Sequence, residues 1–527
     1  MWLFSPLLVL LLLLLQSLCF GFGFSSQSIL GFSRDDFPPD FVFGAGTSAY
    51  QYEGAVDVDG KSPSIWDTFT HAGHMVDKST ADVTAGGYYK YKEDVKRMSD
   101  IGLEAYRFSI SWSRLIPNGR GAINPKGLEY YNNVINELIK HGIQPHVTLY
   151  HLDLPQTIED EYAGWLSPKI VEDFTAYTDV CFREFGDRVR HWTTFNEPNV
   201  QSVSSYDIGF FPPERCSYPY GVSNCTFGNS TIEPYIAIHN ILLAHAEVAA
   251  LYKRKYQAKQ NGWIGMNVYT FWMAPFTNST ADIRATKRSF DFQIGWVINP
   301  LVFGDYPETM KKRAGSRIPK FTKCQSEKLM KSFDFIGINH YTSAYISGDN
   351  IDDSNTGLRD YYEDMSVITS VSRNETPSGQ FIPVTPPPPD PNGIRMMLEY
   401  LKDFYNNPPV YVQENGRGTP YNDTNLNDTE RVDFLRGYIG AILEAIRNGS
   451  NCRGYIVWSF LDVFEFLSGY QTRYGLYLVD FEDKDLKRQP KLSAHWYSNF
   501  IKGKQEGLFN LETTTLHGTK QVLQSQM

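Results

Sequence analysis

The sequence predicts an α/β protein of one domain, a single (β/α)8 TIM barrel with long loop insertions on its C-terminal rim. Three observations predict it. Eight apolar, strand-like runs recur along the chain, stretches with helical periodicity separate them, and glycines close several of those stretches where a helix cap belongs. Strand alternating with helix gives a parallel sheet covered by helices, and eight repeats let that sheet close on itself. The 527 residues exceed a minimal barrel, as happens when barrels grow by insertion.

In order, the runs are residues 41–48, 105–111, 144–151, 189–196, 263–269, 333–341, 410–414 and 454–461. Residues 89–101 carry apolar side chains at helical spacing and stop at Gly102; residues 128–140 stop at His141-Gly142, and residues 432–448 at Gly449. Two irregular insertions, 210–231 and 343–392, follow the fourth and sixth runs and so belong on the rim where barrel active sites form. The second holds T-P-P-P-P-D-P at 385–391, a stiff extended piece that is either a pocket wall or a surface spacer. Closure from end to end leaves no interior linker, so residues 25–507 form the barrel domain. Residues 508–527 are polar, rich in Thr and Gln, and expected to be disordered.

Hydrophobic content of 42% and charged content of 20% fit a globular chain with an ample core and exclude a disordered one. A net charge of -10 argues against nucleic acid or an anionic membrane as partner. Residues 1–24 hold an apolar core followed by small residues, as a secretory signal peptide does; the missing basic start keeps a signal anchor as the alternative. No later stretch reads as apolar for long enough to span a bilayer. Secretion agrees with sequons at Asn224, Asn229, Asn278, Asn374, Asn422, Asn427 and Asn448, and with Cys216 and Cys225, close enough in an irregular loop to form a disulfide. Of the other cysteines, Cys19 lies in the signal, and Cys181, Cys324 and Cys452 read as isolated thiols. With no K-D-E-L-type ending, the expected residence is the cell exterior or a vacuole.

Two stretches carry the chemistry. H-W-T-T-F-N-E-P-N at 191–199 and P-V-Y-V-Q-E-N-G at 409–416 are each a β-branched and aromatic run that ends on a glutamate followed at once by a strand breaker. Each therefore delivers a carboxylate, Glu197 or Glu414, at a strand tip, and a closed barrel brings both tips to one rim. Two carboxyl groups flanking one bond can cleave an acetal, one protonating the leaving oxygen and the other stabilising the sugar centre. Arg107, in Y-R-F-S-I-S-W, sits among apolar neighbours and needs an anionic partner.

Both stretches resemble the signature motifs of glycoside hydrolase family 1, the β-glucosidase family, and the resemblance runs from about Phe37 to about Ile501. It implies a retaining glycosidase with Glu197 as acid/base and Glu414 as nucleophile, Arg107 and Tyr341 keeping Glu414 charged and oriented. It further implies sugar contacts from Gln51, His151, Asn196, Asn339, Trp458, Glu465 and Phe466, with Asn196 at the 2-hydroxyl and Trp458 as the platform under the ring. Three departures stand out. F-E-F at 464–466 replaces the commoner F-E-W and removes an indole donor; Gln413 stands where Thr is commoner; and the proline run stands where many relatives have a tryptophan wall for the leaving group.

No cofactor is implied. His146 and His151 are five apart on an expected strand and face opposite sides, which argues against a shared metal, and neither a phosphate loop nor a G-x-S-x-G elbow occurs. The expected partner is a small glycoside. The expected function is a plant-type β-glucosidase acting on glucosides of a hydrophobic aglycone. Alternatives are a transglucosidase that passes the same intermediate to an acceptor alcohol from an acyl-glucose donor, and, from another class, a non-catalytic sugar-binding protein.

Overall fold

The computed structural model describes residues 31–222, 224–348, 357–373 and 388–504. The expected signal, the 508–527 tail, Asn374 and the first prolines of the proline run lie outside the described residues.

Eight parallel strands close a ring: β1 (Val42–Gly46), β2 (Ala105–Ser109), β3 (Gln144–Thr148), β4 (His191–Thr193), β5 (Trp263–Pro275), β6 (Phe335–Gly348), β8 (Val410–Asn415) and β9 (Cys452–Trp458). Each pairs with the next, β6 with β8, and β9 returns to β1. All eight expected runs contain a strand. Helices follow as the periodicity predicts: α1 (Gly87–Ile101), capped by Gly102 at φ 86°, α2 (Pro125–Lys140), which opens on a proline at its first turn, and α8 (Thr429–Arg447).

Three features depart from the sequence expectation. The insertion after the sixth run is not irregular throughout. β5 and β6 run on together past the rim to the Pro275–Ile346 pair, and β7 (Val367–Ser370) adds antiparallel to the end of β6 after the short helix α6 (Tyr361–Met365). Second, helix α5 (Glu233–Lys255) is long and apolar enough to cross a bilayer, against the expectation that no such stretch exists. Most of its residues are buried within the protein, and a helix apolar nearly all round is what a large core takes. Third, β3 stops at Thr148, so strand parity does not govern His151. His146 stacks on His191 inside the barrel with ring centroids 4.1 Å apart, while His151 lies beyond the strand in the pocket at the rim.

The disulfide Cys216–Cys225 pins the first insertion, with Cα atoms 5.4 Å apart. The six described sequon asparagines are all exposed.

Candidate active site

The C-terminal strand tips surround a cavity of about 240 Å³. Glu197 and Glu414 both line it, and with them Gln51, His151, Tyr341, Trp458, Glu465 and Phe466. Residues more than 400 positions apart meet there because the ring closes β9 onto β1, setting Trp458 beside Gly46, whose other neighbour is Arg107.

Glu414 stands one residue before the end of the buried strand β8. The guanidinium of Arg107 donates to its Oε1, and the Tyr341 hydroxyl donates to its Oε2 at 2.8 Å. A cation on one oxygen and a phenol on the other give this carboxyl two donors in fixed positions. The second guanidinium nitrogen of Arg107 donates to Asn196 Oδ1 at 2.7 Å. Glu197 sits at φ 46°, a left-handed conformation costly for a side chain with a Cβ, immediately before Pro198 opens helix α4 (Pro198–Tyr206). The turn throws its carboxyl into the cavity. Burial, and after it the charge of Glu414, push Glu197 up to about 8, against the Asn339 amide, which donates to Oε1 at 2.7 Å and works the other way. The two carboxyl groups of one cavity are therefore treated unequally: Glu197 is raised by burial and its neighbour's charge, while Glu414 has a cation on one oxygen and a phenol on the other.

Asn196 Oδ1 accepts from both Arg107 and Asn339, so its amide nitrogen faces His151 Nε2 at 3.1 Å. Burial, then Arg107, hold His151 neutral, so Nε2 accepts and the proton rides on Nδ1, a buried atom with no partner. Gln51 donates to Glu465 Oε2 at 3.1 Å, and Glu465 Oε1 is likewise buried without a partner. Burial, and after it Glu414, raise the Glu465 carboxyl well above its ordinary value. Two orphaned polar atoms in a cavity floored by an indole are hydrogen-bonding positions for a polyhydroxylated guest. Asn196 and Asn339, expected against the sugar, do not line the cavity; their amides are taken up by Arg107, His151 and Glu197 one layer deeper.

Away from the two acids, much of the lining is aromatic and apolar. Phe210 and Phe211 from the first insertion line it with Tyr361, Tyr362 and Met365 of α6, and β5 adds Tyr269, beside Tyr341, and Phe271 further along the strand. None of these was singled out by residue from sequence, although the two insertions that supply Phe210, Phe211, Tyr361, Tyr362 and Met365 were expected on this rim. The described end of the proline run lies elsewhere: Pro388 accepts from Thr342 and Asp390 from Ser343 along β6, and neither lines the cavity. Phe466 stacks on Tyr50 at 5.9 Å and packs tilted against Trp66 at 4.4 Å between centroids, and offers an apolar edge where an indole would donate.

The profile described as Glycosyl hydrolase family 1 matches residues 33–506. The chain belongs to this family. Among its family 1 relatives, "Beta-glucosidase 22" of Oryza sativa subsp. japonica is 65% identical over 486 residues, 92% of this chain and 90% of that protein. "Cyanidin 3-O-glucoside 7-O-glucosyltransferase (acyl-glucose)" of Delphinium grandiflorum is 59% identical over 503 residues, 95% of this chain and 97% of that protein. Among solved family 1 structures, a mutant of the rice β-glucosidase Os3BGlu6, in a covalent complex with Glc, superposes with a TM-score of 0.85 at 44% identity. The match covers 89% of this chain and 99% of that one.

Proposed function

We propose that the protein is a retaining β-glucosidase that hydrolyses β-glucosides of a hydrophobic aglycone. The observation that carries this reading is the unequal treatment of two carboxyl groups in one cavity: Glu414 held by Arg107 and Tyr341, Glu197 pushed up to about 8. In the first displacement the Glu197 proton passes to the glycosidic oxygen, the bond from C1 to that oxygen breaks, and an oxygen of Glu414 bonds to C1. The aglycone leaves as an alcohol. Ester formation removes the charge of Glu414, and Glu197, now a carboxylate, takes a proton from water as the water oxygen attacks C1. Two inversions return the starting configuration and free Glu414 as a carboxylate.

Gln51, His151, Trp458 and Glu465 are assigned to the sugar, supported by the two orphaned atoms beside the indole. The aromatic part of the lining takes the aglycone. Turnover of p-nitrophenyl β-glucoside in the native protein and in Glu414→Gln tests the reading. Loss in the variant, with a 2-deoxy-2-fluoro glucoside adduct on Glu414 of the native protein, is expected; equal rates would remove the assignment.

A second reading is favoured by the Delphinium relative, whose name is that of an acyl-glucose glucosyltransferase. The same glycosyl-enzyme would then pass its sugar to an acceptor alcohol in the apolar part of the cavity. Donor incubated with a phenolic acceptor separates the two: free glucose alone supports hydrolysis, a new glucoside supports transfer. Residence in the secretory pathway, ending outside the cell or in a vacuole, is supported by the Cys216–Cys225 disulfide and the exposed sequon asparagines. Loss of mass on treatment with an N-glycanase checks it.

A further inference from the structure

Strand β8 carries one residue more than its neighbours at the tip. Ile338 of β6 pairs with Val412 and Asn339 with Glu414, which skips Gln413; on the other side Tyr455 pairs with Val412 but Val457 with Asn415. Such a bulge breaks the alternation of faces. Gln413 and Glu414 are consecutive, yet both reach inward-facing partners and are buried, at 1% and 4% exposure. Gly337 on β6 leaves the room, since a Cβ there would stand 2.2 Å from Gln413 Oε1.

Both ends of the Gln413 amide are used. Its Nε2 donates to Thr193 Oγ1 at 2.7 Å, and its Oε1 accepts from Asn267 Nδ2 at 3.0 Å. The same Asn267 nitrogen donates to Asn339 Oδ1 at 2.7 Å, and Asn339 Nδ2 donates to Glu197 Oε1 at 2.7 Å. An amide presents an acceptor at one end and donors at the other, so each link dictates the orientation of the next. With the Asn267 nitrogen committed to Gln413, Asn339 must meet it with its carbonyl and turn its own NH₂ to Glu197.

We propose that Gln413 is a positioning residue for the acid/base carboxyl: through Asn267 and Asn339 it keeps a donor on Glu197 Oε1 and so leaves Oε2 to carry the transferable proton. The inference rests on the reading of Glu197 as acid/base. It gives the residue beside the nucleophile a task at the opposite carboxyl. Thr193 anchors the outer end of the chain.

The test is Gln413→Met, which keeps side-chain length and removes both polar ends. Leaving-group dependence separates positioning from general damage, because 2,4-dinitrophenol departs without protonation whereas an alkyl alcohol needs it. The expected result is a fall in kcat/KM of about tenfold or more on an alkyl β-glucoside, with 2,4-dinitrophenyl β-glucoside within about threefold of native. The alkaline limb of kcat/KM should move to higher pH, since loss of the donor favours protonated Glu197. Equal losses on both substrates, or no loss on either, would overturn the proposal. If Gln413→Met fails to fold, Thr193→Val decides in the same assay, with selective loss supporting and uniform or absent loss overturning. Native protein that neither turns over the dinitrophenyl glucoside nor takes the 2-fluoro label would instead sink the glucosidase reading itself.

Discussion

Asn339 and Tyr341 stand two apart on β6 and hold one carboxyl each, Asn339 donating to Glu197 at 2.7 Å and Tyr341 to Glu414 at 2.8 Å. Residues i and i+2 share a face, so a single strand spaces the two acids. Removing the phenol should therefore injure one carboxyl and spare the other. Tyr341→Phe leaves Arg107 on Glu414 and takes away one hydrogen bond to an anion, worth about 1.5–3 kcal/mol or roughly 10- to 100-fold in rate. The rate of inactivation by a 2-deoxy-2-fluoro glucoside, which reports attack by Glu414, should fall by that factor.

The protonation of Glu197 sets the pH profile. Burial comes first among the causes that push it up to about 8, and the charge of Glu414 second. Glu197 acts as an acid in the first step, so activity is present below that value and lost above it. The expected kcat/KM falls on an alkaline limb near pH 8. Glycosylation neutralises Glu414, and the Glu197 carboxyl should then titrate lower, as its second role as a base requires. Carbon-13 spectra of labelled glutamate, taken before and after trapping with the 2-fluoro sugar, read the drop directly.

The barrel and its two acids were legible because each rests on a local pattern: a β-branched run, a glutamate, a breaker. Glu197 and Glu414 needed only ring closure to meet. The apolar part of the lining was not legible residue by residue. The two insertions were placed on the rim, but nothing in their sequence singled out Phe210 or Tyr361 as the residues that enter the pocket, and Phe271 reaches it only because β5 runs on past the rim beside β6. The bulge at Gln413 was hidden for a related reason. Strand alternation puts a residue and its neighbour on opposite faces, and only the register with β6 and β9 reveals that both turn inward. The apolar length of helix α5, against the sequence expectation, is a property of a wide core.

Aglycone preference should depend on Phe210. Its neighbour Phe211 packs against Trp66 at 5.0 Å, while Phe210 is only half-buried and faces the cavity. Truncation in Phe210→Ala removes an aromatic wall worth about 1.5–3 kcal/mol when covered by a guest. The ratio of kcat/KM for an aryl over a methyl β-glucoside should fall roughly 10- to 100-fold. An unchanged ratio would place the aglycone elsewhere.

The disulfide holds the loop that presents Phe210 and Phe211. Cys216 and Cys225 are 9 residues apart, and closing so short a loop removes denatured-state entropy worth about 2–3 kcal/mol. Replacing both cysteines by serine should lower the urea midpoint accordingly. Because the loop also walls the aglycone site, KM for aryl glucosides should rise more than kcat falls.

Buried histidines should govern part of the acid limit of stability. His245 bonds Thr194 through Nδ1 at 2.8 Å and His340 approaches Thr270 at 3.2 Å; in both, Nε2 is buried without a partner. Burial takes each down to about 3, with Lys253 adding to the effect at His245. The sign follows from proton counts. Between about 3 and the ordinary histidine value near 6.5 the unfolded chain binds the extra proton and the folded chain does not. Their contribution is therefore complete above about pH 6.5 and shrinks as pH falls, by up to ~1.4 kcal/mol per pH unit for each histidine. Buried carboxyls such as Asp153 and Glu465, raised by burial, work in the opposite sense, so the bare pH curve mixes the two. His245→Asn isolates one group, since an amide keeps a polar contact to Thr194 but does not titrate. The variant should be less stable than the native protein at pH 7, and the gap should narrow by about 2 kcal/mol by pH 5 in urea unfolding. A gap that stays constant across that range would mean that His245 takes up its proton over the same pH range in the folded and unfolded chains, so that burial does not hold it neutral.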